Sequence, residues 1–230
     1  MKNIKLCVIG LGYFGYHLAV SLSKAGAEVL AIDNHQDKVD EISDKVTHAV
    51  CLDSTDKRVL QSLGLEEMDA VIIAIGEGFE SSIMTTAHLQ EFGIKRIYNR
   101  VTSKVHERLL NLMDIHELLW PEAEAAEQLK NRLMIPGIIE SFKISNDYGV
   151  FEITAPKSFV GQTILETNLR KDYNLNLVTI KRMAAKGIFG LGSNTNDNVI
   201  GVPKPDEVIK ENDILVLFGR DKDIKNLLDE

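Results

Sequence analysis

The stretch IKLCVIGLGYFGY, residues 4 to 16, decides how the rest of the chain reads. An apolar run leads into glycines at 10, 12 and 15, and a helical pattern of small residues follows. Gly10 permits a tight turn, Gly12 lets backbone approach a pyrophosphate, and Gly15 lets a helix pack closely on its strand. The start of that helix offers unpaired N–H groups and about half a positive charge to a phosphate. Asp33 ends the run EVLAID, 18 residues beyond Gly15. A carboxylate there can accept hydrogen bonds from ribose hydroxyls and repels a 2′-phosphate, which disfavours NADP.

Outward from this stretch, strand-like and helix-like segments alternate. Apolar, β-rich runs occur at Ile4–Ile9, Glu28–Ile32, His48–Cys51, Ala70–Ile75, Arg96–Tyr98 and Leu118–Trp120. Amphipathic stretches lie between them, at Tyr16–Ala25, Gln36–Ser43, Lys57–Leu63, Ser81–Phe92 and Lys104–Met113. Strands apolar on both faces and separated by single helices predict an α/β fold, a Rossmann-like doubly wound parallel sheet. The segment AEAAEQLKNRL continues as a helix, and Met134-Ile135-Pro136-Gly137 breaks the pattern. IESFKI, VFEITAP, LNLVTIKR and DILVLFGR then read as strands, with one helix over TILETNLRKDY and a short closing helix in DKDIKNLLDE. The expected organisation is a nucleotide-binding domain over residues 1–138 and a smaller C-terminal α+β domain over 139–230, with a mobile loop at 190–198.

Ligands of such sheets sit beyond the carboxyl ends of the strands. Asp53, Ser54 and Thr55 follow the third strand and face the base; Ala74, Ile75 and Gly76 follow the fourth and bring backbone near the ribose. Arg100 follows the fifth, within reach of phosphate. Tyr13, Phe14 and Asn34 complete the candidate set around Gly10, Gly12, Gly15 and Asp33.

Bulk composition bounds the rest. The 230 residues are 44% hydrophobic and 26% charged, enough for a packed core. A net charge of −8, from 26 basic and 34 acidic residues, argues against a chain that coats nucleic acid. Cys7 and Cys51 lie in apolar runs and are expected as buried, reduced thiols. The opening does not read as a signal peptide, and no run approaches the ~18 apolar residues of a membrane span, so a cytoplasmic protein is expected. A dehydrogenase needs a proton relay opposite its cofactor. The six histidines, at 17, 35, 48, 88, 106 and 116, all lie in the first half, and no catalytic arrangement emerges.

The motifs VIGLGYFG, EVLAID, THAVCLDST, AVIIAIG and WPE (120–122), with the C-terminal TILETNLRKDYNLNLVTIKR and DEVIKENDILVLFGRDKDI, together resemble the RCK family. These are cytosolic regulatory subunits of Trk/Ktr-type potassium-uptake systems, and the resemblance covers nearly the whole chain. It implies a nucleotide-sensing gating subunit rather than an enzyme. It also implies dimers assembling into an octameric ring, peripheral to the membrane beneath a channel subunit, with ATP, ADP or NAD(H) in the crevice. Carried over to this chain, Gly10, Gly12 and Gly15 would hold phosphates, Asp33 the ribose, and Asp53 and Ser54 the adenine. Glu122 would hold Mg2+ or another divalent cation at the phosphates. Tyr13 stands where ATP-responsive members commonly carry arginine, which implies weaker ATP-over-ADP discrimination or a preference for a dinucleotide. In the C-terminal half, Ile164, Leu165, Asn168, Leu169 and Arg170 match a segment that binds cyclic di-AMP in several relatives, beside a domain-core and homodimer reading. An apparent insertion around 184–201 loosens the match at Pro203. The competing reading, an NAD-dependent oxidoreductase, rests on the glycines alone.

Overall fold

The expected parallel strands form as β1 (Lys5–Ile9), β2 (Glu28–Asp33), β3 (His48–Cys51), β4 (Ala70–Ile73), β5 (Ile97–Arg100) and β6 (Glu117–Leu119). All pair in parallel, in the order β3-β2-β1-β4-β5-β6, so the order reverses between β1 and β4. Between the strands lie α1 (Tyr13–Lys24), α2 (Gln36–Ile42), α3 (Lys57–Gln61), α4 (Phe79–Glu91) and α5 (Lys104–Leu112), followed by α6 (Pro121–Met134). The computed structural model describes residues 4–135, 137–182 and 198–229. It divides into two units, Met1–Ala123 and Glu124–Glu230, and α6 spans the division.

Alternation along each strand feeds two apolar layers, one on either face of the sheet. From β1, Cys7 and Ile9 point into a layer with Ile32, Leu60, Ile73, Leu89 and Ile97. Val8 points the other way, into a layer with Ala19, Ala31, Val39, Ile42 and Ile72. The small residues Ala19 and Ala31 let α1 sit close to the sheet. One expectation is corrected here: Cys7 is buried but Cys51 is exposed, because β3 is the sheet's edge strand and its end has no neighbour on the outer side.

The second unit is an antiparallel sheet of β7 (Ile138–Lys143), β8 (Tyr148–Thr154), β9 (Asn176–Arg182), β10 (Asn198–Val199) and β11 (Ile214–Arg220), in the order β10-β9-β11-β8-β7. It also carries α7 (Leu169–Asp172) and the closing α8 (Asp221–Leu228). The helix expected over TILETNLRKDY shrinks to the four residues of α7. The amides of Ile164 and Leu165 bond to the carbonyls of Glu207 and Pro205 instead of to their own turn. Asn168 then takes a left-handed φ of 48°, which resets the chain before α7. Pro136 and most of the expected loop at 190–198 and insertion at 184–201 lie outside the described residues.

Asp213, 1% exposed, anchors this unit. Arg182 donates to it through both Nε and Nη2 at 2.8 Å, and the Lys210 amide donates at 2.8 Å. Burial pushes the Asp213 carboxyl up, but these donors and the neighbouring charges outweigh it and hold the group below its ordinary value. The resulting stability is present above the unfolded carboxyl's pKa of about 3.9 and is lost as pH falls below it. We expect Asp213→Ala to cost the second unit about 2–3 kcal/mol at pH 7, read by denaturant unfolding of the full chain.

His106 of α5 acts in the same direction at a higher pH. It is fully buried, its Nδ1 sits 3.0 Å from the Thr102 hydroxyl, and burial lowers its pKa. Below the unfolded value of about 6.5 the unfolded chain takes up the proton more readily, so stability falls with pH by at most about 1.4 kcal/mol per unit. Unfolding midpoints at pH 7.5 and 5.5 should separate for the parent chain more than for His106→Gln.

Candidate functional site

The crevice lies at the carboxyl edge of the first sheet, where the strand order reverses, and measures about 570 Å³. Its floor is the glycine turn. Gly10 has φ 95°, a left-handed conformation, and a Cβ there would lie 2.9 Å from the Ile75 amide nitrogen. A Cβ on Gly15 would lie 1.9 Å from the Gly10 carbonyl oxygen and 3.0 Å from the Ala74 Cβ. Gly12 has nothing within 4 Å of that position, so its lack of a side chain serves the crevice and not the packing. As the N-cap of α1 it also leaves the first turn without a side-chain cap.

Eleven of the fifteen sequence-predicted residues line this one crevice: Gly10, Gly12, Tyr13, Asp33, Asn34, Asp53, Ser54, Ala74, Ile75, Gly76 and Arg100. The other four sit differently. Gly15 is buried beneath the turn, and Phe14 packs into the core with its ring 5.8 Å from the Arg100 guanidinium. Thr55 turns away, its hydroxyl donating to Asp53 Oδ1 at 2.7 Å. Glu122 lies outside the crevice, in an adjoining hollow of about 430 Å³ that shares Gly76 and Arg100 with it. Tyr13 is 87% exposed at the rim, its ring 4.5 Å from that of His17.

Asp33 already has partners. Its Oδ2 accepts the Leu11 N–H at 2.6 Å, and Oδ1 accepts the His35 N–H at 3.0 Å with His35 Nδ1 at the same distance. The Lys38 ammonium is 3.6 Å away. Burial raises the carboxyl's pKa, yet these bonds and that charge prevail and hold it below the ordinary range. The group is thus an ionised clamp on the glycine turn, and Lys38 offsets the negative charge that would repel a 2′-phosphate. His35, Lys38, Glu77 and Ser81 line the crevice and were missed from the sequence. Their positions just after the ends of β2 and β4, where helices begin, were the available signal.

Arg100 ends β5 with its guanidinium paired to Glu122. Its Nε is buried without a hydrogen-bond partner among the described residues. Glu107 lines the same hollow as Glu122, but among the described residues no group of three or more His, Cys, Asp or Glu could hold a metal. The donor set of this chain alone therefore does not fit a divalent cation. In the second unit, Ile164, Leu165, Asn168, Leu169 and Arg170 line a hollow of about 370 Å³ with Pro203 and Pro205. Arg170 is engaged there, donating to Asn176 Oδ1 through Nε at 2.8 Å and Nη2 at 2.6 Å.

Comparison with known proteins identifies the family. Residues 6–121 match the TrkA-N domain and residues 150–230 the TrkA-C domain. The chain is 35% identical over 220 residues to Ktr system potassium uptake protein C of Bacillus subtilis (strain 168), covering 96% of this chain and 94% of that protein. It is 29% identical over 230 residues to protein A of the same system and organism, covering 100% and 98%. Among solved structures, the GsuK channel bound to NAD superposes with a TM-score of 0.53 at 21% identity, over 100% of this chain and 38% of that one. The chain belongs to the RCK family of TrkA-N and TrkA-C domain proteins.

The two glycines of the turn make opposite demands. Gly15→Ala should cost the first unit about 3 kcal/mol through overpacking against backbone. Gly12→Ala should leave stability within about 0.5 kcal/mol of the parent. Urea unfolding of both variants checks the contrast.

Proposed function

We propose that the chain is a nucleotide-sensing regulatory subunit of a potassium uptake system, with an adenine nucleotide or NAD(H) in the crevice of its first unit. The glycine turn carries this reading. It is a backbone-lined mouth with an open helix start at Gly12, in a chain similar over nearly its full length to Ktr proteins. In this reading the phosphates lie against Gly10 and Gly12, and the ribose against Asp33 and Asn34. The base lies against the backbone of Asp53 and Ser54, and Arg100 meets the outer phosphate end. A phosphate arriving at Arg100 competes with Glu122 for the same guanidinium.

The partner is a membrane-embedded Trk/Ktr-type channel subunit, which would hold the chain at the inner face of the membrane. No helix among the described residues is long and apolar enough to cross a membrane. Self-association into a ring is supported by apolar side chains left exposed, Val105 and Leu112 on α5 and Leu129, Leu133 and Met134 on α6. α6 buries none of its residues. The hollow of the second unit, with Asn168 and Arg170 at its edge, is the place for a second, cyclic di-AMP-like ligand; Arg170 would have to release Asn176 to bind phosphate.

Calorimetric titration with ATP, ADP, AMP and NADH, with sizing of each mixture, tests the proposal. Micromolar binding and a ring-sized particle that responds to nucleotide are expected. Indifference to every adenine nucleotide, or turnover of a substrate at the cofactor's expense, would overturn it. Tyr13 offers one neutral hydrogen bond where a charged partner contributes about 1 kcal/mol more. Tyr13→Arg should therefore raise the ATP-over-ADP preference about fivefold.

A further inference from the structure

Helix α4 carries a buried polar face that neither the fold nor the crevice lining explains. Ser82, Thr85 and Thr86 are each 0% exposed, and with His88 they recur at helical spacing. Apolar side chains there would pack as well without losing water, so each buried polar group calls for a partner that has to be held in one orientation.

The partners lie at the two ends of the crevice. On one edge of α4, Thr85 Oγ1 meets Ser54 Oγ at 2.8 Å, and His88 Nε2 meets the Thr55 carbonyl at 3.1 Å. A carbonyl accepts only, so His88 donates from Nε2; its Nδ1 is buried without a partner among the described residues. On the other edge, Ser82 Oγ donates to Asn99 Oδ1 at 3.0 Å and Asn99 Nδ2 donates to Thr86 Oγ1 at 2.7 Å. Asn99 immediately precedes Arg100.

The base-side loop needs such support. It leaves β3, an edge strand paired on one side only; beyond the Leu52 N–H bond to the Asp33 carbonyl at the end of β2, Asp53 bonds only within its own turn. Ser54 is 8% exposed with its hydroxyl directed at Thr85, so it presents backbone rather than hydroxyl to the crevice.

We infer that Thr85 and His88 are positioning residues for the base end of the crevice, holding Ser54 and Thr55 from behind so that the loop's backbone meets an adenine in a fixed place. The ligand half of this inference rests on the nucleotide reading above; the brace itself does not. Thr85→Val keeps the shape and removes only the hydroxyl. His88→Leu removes the donor, and His88→Gln can restore it.

Hydrogen exchange on the full chain without nucleotide tests the brace. The amides of Leu52–Thr55 should exchange several-fold faster in Thr85→Val and His88→Leu, and at the parental rate in Thr85→Ser and His88→Gln. Titration with ADP and GDP tests the positioning. ADP should weaken about five- to tenfold in Thr85→Val while GDP changes less, and Thr85→Ser should recover the preference. Unchanged exchange in both disruptive variants overturns the brace. Faster exchange with ADP and GDP weakened equally overturns the positioning role and leaves a stability role alone. Faster exchange in a chain whose parent ignores every nucleotide upholds the brace and fails the nucleotide reading instead.

Discussion

The first unit depends on one close approach, the Gly10 carbonyl oxygen lying where a side chain on Gly15 would begin. A β-carbon at 1.9 Å is impossible, so the first turn of α1 can sit on the end of β1 only because residue 15 is glycine. Once α1 is seated there, Gly10 must turn with φ 95°, and the turn exposes the Leu11 amide toward β2. Asp33 takes that amide at 2.6 Å, which ties the end of β2 to the turn that follows β1. The crevice mouth is thus a consequence of backbone sterics first and of side-chain chemistry second.

Asp33 changes character when seen this way. The ribose-facing acid of the sequence is also a structural anion, 7% exposed and supplied with donors from Leu11, His35 and Lys38. These roles are compatible, because a carboxylate has about four acceptor sites and the backbone donors occupy only part of them. What weakens is the electrostatic ground for excluding a 2′-phosphate, since an ammonium 3.6 Å away offsets much of the repulsion. With a nucleotide seated as proposed, selectivity at its ribose would rest on space and hydrogen-bond geometry around His35 and Lys38 more than on net charge.

The parallel sheet was legible because its strands are apolar on both faces, a pattern that polar-faced strands cannot imitate. The residues at strand ends were legible for the same reason: the position of Asp33, Asp53 or Arg100 follows once the strands are counted. Thr55 and Glu122 escaped because what a side chain does after the strand ends is set by local turns and ion pairs, which carry no periodicity. His35 and Lys38 escaped because the strand pattern stops at Asp33, and which side chains of the following helix start turn toward the crevice is set by the local turn. TILETNLRKDY misled for a third reason. Its helical spacing is real, but its amides are claimed by the 205–207 segment, a tertiary competitor that the local pattern does not reveal.

Helix starts tie these threads together. Helices α3 and α5 are capped by their own sequence, Asp56 accepting the Arg58 amide at 2.9 Å and Ser103 the His106 amide at 3.1 Å. Helices α1 and α4 begin at Gly12 and Gly78, and α2 at His35, and none of the three has a side-chain cap. Capping contributes about 1 kcal/mol to a helix, so leaving it out is a standing cost to the fold. For α1 the open N–H groups face the crevice, where an anionic ligand can complete them. For α4 the cost is offset along its length, by bonds from its buried polar face to the loop after β3 and to the end of β5. The same helix that begins uncapped beside the crevice therefore has its position fixed from both ends of it. A ligand that orders either end acts on a helix already tied to the other.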